Sequence, residues 1–285
     1  MMKIIMAVIG DGNATPVLEA SLQIARRFGS HIIGLHSLTS EYAVVFGGEM
    51  GFSLSTEGDR AMEREGYQRR DHAHRLFGEF MAAHGVAVES AAAGHSGARA
   101  SWRDEDGRQN AIVGMMGRVC DLIVLEQPDK LASIAEATLE DALFESGRPM
   151  LMVPKTVPAA IGDVVAVAWN GSTETATTIA LSMPLLEAAK EVVVITVSPE
   201  LMPEPGPTGE ALAQTFDRHG FKVSLRAASG RQSRQGDSFL AEAISAGADL
   251  LIKGAYTQHR LRQMVFGGAT RQIIMNAKIP VLLAR

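Results

Sequence analysis

Short apolar runs closed by small polar residues recur along the chain and divide it into two similar halves. The first half opens with residues 4–9 (IIMAVI), followed by Gly-Asp-Gly-Asn, and the second opens with residues 164–169 (VVAVAW), followed by Asn-Gly-Ser. Runs rich in β-branched residues and bounded by turn formers are typical of buried strands. The pattern therefore predicts that each half begins with a buried strand.

A helix-like stretch and a second apolar run follow each opening strand. The first half has a helix at 18–28 and a strand at 31–36, and the second half has a helix at 174–189 and a strand at 191–197. Pro184 is expected to kink the second of these helices, because proline lacks the N–H that a helix interior needs. Strands that alternate with helices indicate βαβ units in a parallel sheet, since parallel neighbours need a crossover connection.

The two halves match most clearly near their ends. Residues 121–125 (DLIVL) correspond to 249–253 (DLLIK), and residues 149–153 (PMLMV) correspond to 280–284 (PVLLA), which gives a repeat of about 130 residues. The third strand of each half has the weakest pattern and is expected at about 86–92 and about 221–227. Each half is therefore predicted to contain five strands.

The repeat predicts an α/β fold made of two tandem five-stranded parallel-sheet domains with helices on both faces. The strands are apolar on both sides, as expected where helices cover both faces of a sheet. The domains are expected at residues 1–155 and 162–285, joined by the linker 156–160 (TVPAA), whose proline and small residues suit a domain boundary. A glycine-rich stretch at 41–58 precedes a long charged helix at about 59–84. This stretch is interpreted as a loop over the carboxyl edge of the sheet, with a ligand lid as the alternative.

Composition and charge limit the classes of partner. Apolar residues make up 46% of the chain and charged residues 21%, which argues against disorder. The net charge of -5 provides no basic excess for a nucleic acid or an anionic membrane, and no apolar run approaches the length of a membrane helix. Cys120 is the only cysteine, so no intrachain disulfide forms. We therefore expect a soluble, cytoplasmic protein without nucleic-acid or membrane partners.

The second half offers a candidate anion site at the carboxyl edge of its sheet, where helix N-termini present free N–H groups. Its first strand is followed by Asn170-Gly171-Ser172, its fourth by Gly254, and its last helix, 271–277, is opened by Gly267-Gly268-Ala269-Thr270. Two glycines and a threonine at a helix start suit a phosphate, because the backbone can approach closely and the threonine adds a hydroxyl. Taken alone, such glycines are more often ordinary turn formers.

Other chemistry-bearing patterns are weaker. His72 and His74 stand two apart on a predicted helix and face different sides, so they are interpreted as surface histidines and not as a metal pair. The chain contains no Gly-x-x-x-x-Gly-Lys-Ser/Thr loop, no Gly-x-Ser-x-Gly elbow and no His-Glu-x-x-His helix. We therefore predict no catalytic and no metal-binding residue.

The order and spacing of these residues resemble the universal stress protein family, whose chains end with a strand, Gly-x-x-Gly, nine residues, Gly-Ser or Gly-Thr, a helix and a Pro-Val strand. Here the pattern is Gly254-x-x-Thr257, nine residues, Gly267-Gly268 and then Pro280-Val281, and the family's opening Asp-Gly-Ser appears as Asn170-Gly171-Ser172. The first half matches at Asp11-Gly12, at Trp102-Arg103 before its third helix, and at 120–124 as its fourth strand. The resemblance covers nearly the whole chain and is to the two-domain tandem bacterial form.

The resemblance implies an adenine-nucleotide alpha-hydrolase-like fold and, for nucleotide-binding members, ATP at the edge described above. The implied base contacts are Ala168, Trp169 and Asn170, with Val197 after the second strand; Gly254 would border the ribose and phosphates, and Gly267, Gly268, Ala269 and Thr270 would hold the phosphates. The final strand of this family often pairs with its counterpart, so 149–153 and 280–284 are expected to pair within the chain. We expect a monomer with an intrachain pseudo-dimer, or a homodimer of such chains.

Several positions depart from the family pattern. Thr257 replaces a glycine, Gly268 stands where a hydroxyl residue is usual, and Asn170 replaces an aspartate. Lys253 stands in place of an apolar residue, and it either reaches a phosphate or points to the surface.

The first half departs further. Glu126 stands at the position of Gly254, and Glu136-Ala137-Thr138-Leu139 stand at the positions of Gly267 to Thr270. A carboxylate at a phosphate cradle repels the ligand. Only the second domain is therefore expected to bind ATP.

Two functions of different classes are consistent with these observations. The first is a non-enzymatic, regulatory stress-response protein with one degenerate ATP site in the second domain, and the alternative is an interaction or structural module that binds no nucleotide. A slow ATPase is a third hypothesis, for which the sequence offers no identifiable base or nucleophile. The sequence names neither the stress nor a protein partner.

Overall fold

The computed structural model describes residues 2–10, 13–37, 56–88, 97–129, 134–197, 206–229, 234–255 and 268–285. The chain forms two compact units. The N-terminal unit comprises 2–125 and 132–146, and the C-terminal unit comprises 126–131 and 147–285. The domain limits drawn at residues 155 and 162 stay a prediction, and most of the glycine-rich stretch at 41–58 lies outside the described residues.

The N-terminal unit contains four parallel strands in the order β3-β2-β1-β4. Its strands are β1 (Ile4–Val8), β2 (His31–Ser37), β3 (Arg99–Glu105) and β4 (Leu122–Glu126), and its helices are α1 (Thr15–Phe28), α2 (Thr56–Ala83), α3 (Gln109–Gly117) and α4 (Ile134–Phe144). Strands and helices alternate along the chain, which is the βαβ arrangement that a parallel sheet requires.

The C-terminal unit contains the strand order β5-β10-β9-β6-β7-β8. Its strands are β5 (Met150–Val153), β6 (Val164–Trp169), β7 (Glu191–Thr196), β8 (Val223–Ala227), β9 (Leu250–Gly254) and β10 (Val281–Ala284). Its helices are α5 (Thr173–Leu181), α6 (Met183–Glu187), α7 (Gly209–Arg218), α8 (Gln235–Ser245) and α9 (Gly268–Asn276). The five strands from β6 to β10 are parallel to one another. No helix in the described part of the chain is long and apolar enough to cross a membrane.

The α/β fold, with ten strands among the described residues, confirms the fold class predicted from the repeat. Every residue of β5, β9 and β10 is buried, which is why these strands do not alternate between apolar and polar residues; β5 and β10 are wholly apolar, and β9 contains one lysine, Lys253. The closing strands of the two halves pair antiparallel, with Leu282 opposite Leu151 and Val281 opposite Met152. The predicted pairing of 149–153 with 280–284 is therefore confirmed, and it joins β5 to the C-terminal unit.

The third strand of the first half was placed wrongly by the sequence pattern. The structure has β3 at Arg99–Glu105, and Val88 forms only an isolated bridge to Ala100. The strand is half-exposed along most of its length and contains four charged residues. An edge strand with one neighbour needs no continuous apolar run, so the search for such runs passed over it. In the second half β8 falls within the predicted range.

The break at Pro184 is confirmed. Helix α5 ends at Leu181 and the short helix α6 begins at Met183, with the proline in its first turn. Proline is tolerated there because the first N–H groups of a helix have no intrahelical acceptor.

Helix α2 packs on β2 and β3 through an aromatic cluster. The Trp102 ring lies 5.3 Å from Phe77 and 5.1 Å from His74, both on α2. Gly34 on β2 makes room for this cluster, because a Cβ atom there would lie 2.6 Å from Phe77 Cε2 and 2.9 Å from Trp102 Cε3. Both histidines are exposed, as the sequence predicts; His74 stacks on Trp102, and His72 Nδ1 lies 3.2 Å from an Arg75 nitrogen.

We expect Gly34→Ala to lower the free energy of unfolding by about 1–3 kcal/mol, because the new methyl group must displace the buried ring of Phe77 and the half-buried ring of Trp102. Gly78→Ala is the matched control, since nothing lies within 4 Å of a Cβ atom at that position in α2. Alanine there is expected to stabilise the chain by about 0.5–1 kcal/mol. Urea unfolding of the two variants measures both changes, and a Gly34→Ala protein as stable as the parent would contradict this packing.

Candidate functional site

The carboxyl ends of β6 and β9 meet at the point where the strand order of the C-terminal unit reverses. From β6 the sheet continues through β7 and β8 on one side and through β9 and β10 on the other. Ligands of open parallel sheets bind in the crevice at such a switch point. Trp169 ends β6 and Gly254 ends β9, so two of the predicted site residues flank this crevice.

Asn170 organises the turn between β6 and α5. Its side-chain oxygen accepts hydrogen bonds from Ser172 N (3.3 Å), Ser172 Oγ (2.8 Å) and Thr175 Oγ1 (2.7 Å). The Ser172 hydroxyl in turn caps α5 by accepting from Thr175 N at 3.2 Å. Gly171 has a φ of 75°, a conformation that glycine adopts without strain. The amide oxygen of Asn170 is thus committed to the turn, and its NH2 group is the part left to contact a ligand.

Gly254 is required by the packing of α5. A Cβ atom on Gly254 would clash with Thr175 N, and it would lie 2.6 Å from Glu174 C and 2.7 Å from Thr175 Cα. These are backbone atoms of the first turn of a helix, which cannot move away as a side chain can. Packing within the chain therefore explains why position 254 is a glycine. The contact of Gly254 with ribose and phosphates stays a prediction.

Lys253 is buried at the end of β9, with 5% of its surface exposed. Its Nζ donates to Gly254 O at 2.9 Å, and among the described residues this is the one acceptor that the ammonium has. Burial lowers the pKa of Lys253 to about 8, and the nearby carboxylate of Glu174 opposes this shift. The sequence left two orientations open for the Lys253 side chain, towards a phosphate or towards the surface. Because the side chain is buried, the surface-directed orientation is wrong.

The base end of the candidate site is covered by a segment of the chain itself. Ala168, Trp169 and Val197 are all buried. The indole N–H of Trp169 donates to Pro207 O at 2.8 Å. A Cβ atom on Gly206 would lie 2.6 Å from Gly171 O, so the segment before α7 packs directly on the turn after β6.

The phosphate end differs at the first residues of α9. Gly268 is exposed and Thr270 is buried, and no atom of the described residues lies within 4 Å of a Cβ atom placed on Gly268. Ala269 is half-buried between these two residues. Helix α9 is fixed by α8, where Gly236 N donates to Gln272 Oε1 at 2.9 Å. Gly267 and Thr257 fall in the stretch 256–267, outside the described residues.

The position of Gly254 in the first half carries a carboxylate, as the sequence indicates. Glu126 ends β4 and is half-buried. Burial and the neighbouring Asp129 raise the pKa of Glu126, whereas Lys155 lowers it. Of the residues matching the helix start, Thr138 and Leu139 are buried within α4.

Sequence reasoning missed the residues that hold the site together. Glu174, Thr175, Gly206 and Pro207 received no role, because each acts through a contact that only folding creates. For Lys253 a signal was present: it is the one charged residue in a strand whose other members are all apolar or glycine. A lysine inside such a run is expected to be buried with its strand.

We expect Gly254→Ala to destabilise the chain by about 1–3 kcal/mol even without ligand, because the methyl group meets backbone. Gly268→Ala is the matched control at an open position and should leave stability unchanged or slightly higher. Thermal unfolding of both variants separates the two, and equal melting temperatures would contradict the packing reason given for Gly254.

We expect Lys253 to make unfolding depend on pH in the alkaline range. Its pKa of about 8 in the folded chain lies below the ordinary value of 10.5, so the unfolded chain binds more protons between those two values. The free energy of unfolding should therefore rise through this window, by an amount on the order of 3 kcal/mol from this residue. Below this pH window Lys253 is charged in both the folded and the unfolded chain, so the full free-energy cost of burying the charge lowers the stability of the fold.

The comparison of the parent with Lys253→Met isolates this contribution, because the methionine does not titrate. Urea unfolding from about pH 7 to about pH 10.5 should show a steeper rise for the parent. Parallel curves for the two proteins would show that the ammonium is not desolvated in the folded chain.

No protein-family model matches the chain, and none of the curated proteins does. Among solved structures, the chain is similar to a universal stress protein from Archaeoglobus fulgidus, with a TM-score of 0.70 at 15% identity, over 99% of this chain and 96% of that one. A putative universal stress protein from Pseudomonas aeruginosa gives a TM-score of 0.54 at 17% identity, over 99% and 93%. A functionally unknown protein from the same species gives 0.55 at 16%, over 99% and 92%. The chain therefore has the fold of the universal stress proteins along nearly its whole length.

Proposed function

We propose that this chain is a stress-response regulatory protein of the universal stress protein family that binds one ATP in its C-terminal unit. The observation that supports this most strongly is the contrast in charge between the two halves. In the second half of the sequence a buried ammonium and a glycine lie together at the end of β9, whereas in the first half β4 ends in the carboxylate of Glu126. A polyphosphate is attracted to the first arrangement and repelled by the second.

The phosphates are proposed to bind at the start of α9. The first N–H groups of a helix have no intrahelical acceptor, and the helix dipole favours an anion there. No described residue lies within 4 Å of a Cβ atom on Gly268, and the missing side chain lets a ligand approach these groups closely. Asn170 is proposed to contribute the NH2 group that its turn leaves available.

The proposal is one of binding without turnover. Among the described residues, Glu174, Thr175 and Lys253 lie near the end of β9, and Thr175 is committed to the turn through Asn170. A regulatory role needs a difference between the bound and free chain. The covering segment at 206–208 is the part whose contacts a bound base would change.

A module that binds no nucleotide is the second candidate, and a specific observation favours it. The indole donor of Trp169 is used by Pro207, and Gly206 packs on Gly171, so the chain itself occupies the surroundings of the predicted base contacts. For ATP to bind as proposed, this segment has to move or the base has to lie outside it.

Isothermal titration with ATP tests the proposal. We expect one site per chain in the parent and loss of binding in Gly268→Val, because the branched side chain fills the phosphate approach. In the part of the chain that the structure describes, nothing lies within 4 Å of a Cβ atom on Gly268, so the valine should not disturb the packing of those residues. Glu126→Gly is the control and should change the affinity by less than about twofold.

The outcomes separate the two candidates. Two sites per chain, or an unchanged affinity in Gly268→Val, would place the nucleotide elsewhere. A parent chain that binds no ATP would favour the interaction module.

A further inference from the structure

Lys253 stands where elementary electrostatics disfavour a cation. The ammonium is held at the last residue of β9 through Gly254 O, and Gly254 lies against the first turn of α5. Burying an ammonium is costly unless its charge is paired and its hydrogen bonds are satisfied. Lys253 is buried with one hydrogen-bond acceptor among the described residues, so the chain satisfies this requirement only in part.

The positive charge of Lys253 is only partly compensated, by the carboxylate of Glu174. Glu174 is the one charged residue in α5, and β6 and β10 contain none. Its carboxylate acts on the ammonium, but no ion pair within 4 Å joins the two among the described residues. Residues that break a local rule in this way are expected at functional sites, where a ligand supplies what the chain lacks.

We propose that Lys253 is the cationic anchor of the C-terminal site and binds a phosphate group of its ligand at the carboxyl end of β9. The inference rests on the proposed function and deepens it, because it names the residue that makes the site select phosphorylated ligands. The residues already proposed for the site are all uncharged, namely Ala168, Trp169, Asn170, Val197, Gly254, Gly267, Gly268, Ala269 and Thr270. The Lys253 ammonium adds a positive charge that attracts an anion to these uncharged residues. Charge-assisted hydrogen bonds are about twice as strong as neutral ones.

Binding through this residue should take up protons. In the empty site burial lowers the pKa of Lys253 to about 8, and a phosphate beside the ammonium raises it again. Near about pH 8 the site is therefore only partly charged before binding and fully charged afterwards. A terminal phosphate has already lost its second proton at this pH, since that group has a pKa of about 6.

The test is a titration of ATP and of adenosine into the parent, Lys253→Met and Lys190→Met. Lys190 is a matched control, because it is an exposed lysine paired with Asp163 before β7, at the other edge of the sheet. We expect Lys253→Met to weaken ATP at least about tenfold and to leave adenosine within about twofold, whereas Lys190→Met leaves both within about twofold. Each variant is first checked for a folded far-ultraviolet spectrum and a cooperative melt.

A second measurement needs no variant. Titrations of ATP into the parent at about pH 8 in two buffers of different ionisation enthalpy give the protons taken up, and the affinity should fall up to about tenfold per pH unit above that pH. Equal affinity of Lys253→Met and the parent for ATP, or binding by the parent without proton uptake, would overturn the role of Lys253 while the nucleotide site stands. A parent chain without ATP binding would overturn the proposed function itself.

Discussion

The backbone contact between Gly254 and the first turn of α5 determines the shape of the carboxyl edge in the C-terminal unit. Thr175 lies against Gly254 and is tied to Asn170 by a hydrogen bond of 2.7 Å, so the ends of β9 and β6 are joined through one helix turn. Any side chain at position 254 would separate them. The same contact brings Glu174 close enough to Lys253 to act on its charge.

This constraint gives the two ends of the candidate site different characters. The base end is closed, since Trp169 and Gly171 are both in contact with the segment 206–208. At the other end an exposed glycine begins α9, and Lys253 is buried at the end of β9. The proposed nucleotide site relies on charge more than on contacts to a base, because charge-assisted hydrogen bonds are stronger than neutral ones.

The sequence predicted the fold well wherever burial on both faces demanded apolar residues. The pairing of β5 with β10 was expected from the resemblance to the universal stress proteins, whose final strands often pair, whereas β3 was missed because an edge strand tolerates charged residues such as Arg103 and Glu105. The site was predicted less completely. Gly254 was singled out for a ligand, although the packing of α5 already requires it, and the bond from Trp169 to Pro207 has no signal in local sequence because it joins residues 38 apart.

The central claim is that the chain holds one nucleotide, in its C-terminal unit, by its phosphates. Native mass spectrometry of the full chain with excess ATP counts bound ligands directly and can be repeated with Gly268→Val. The account predicts a single added ATP on the parent chain and none on the variant. Two added nucleotides, none, or equal occupancy of the parent and the variant would contradict it.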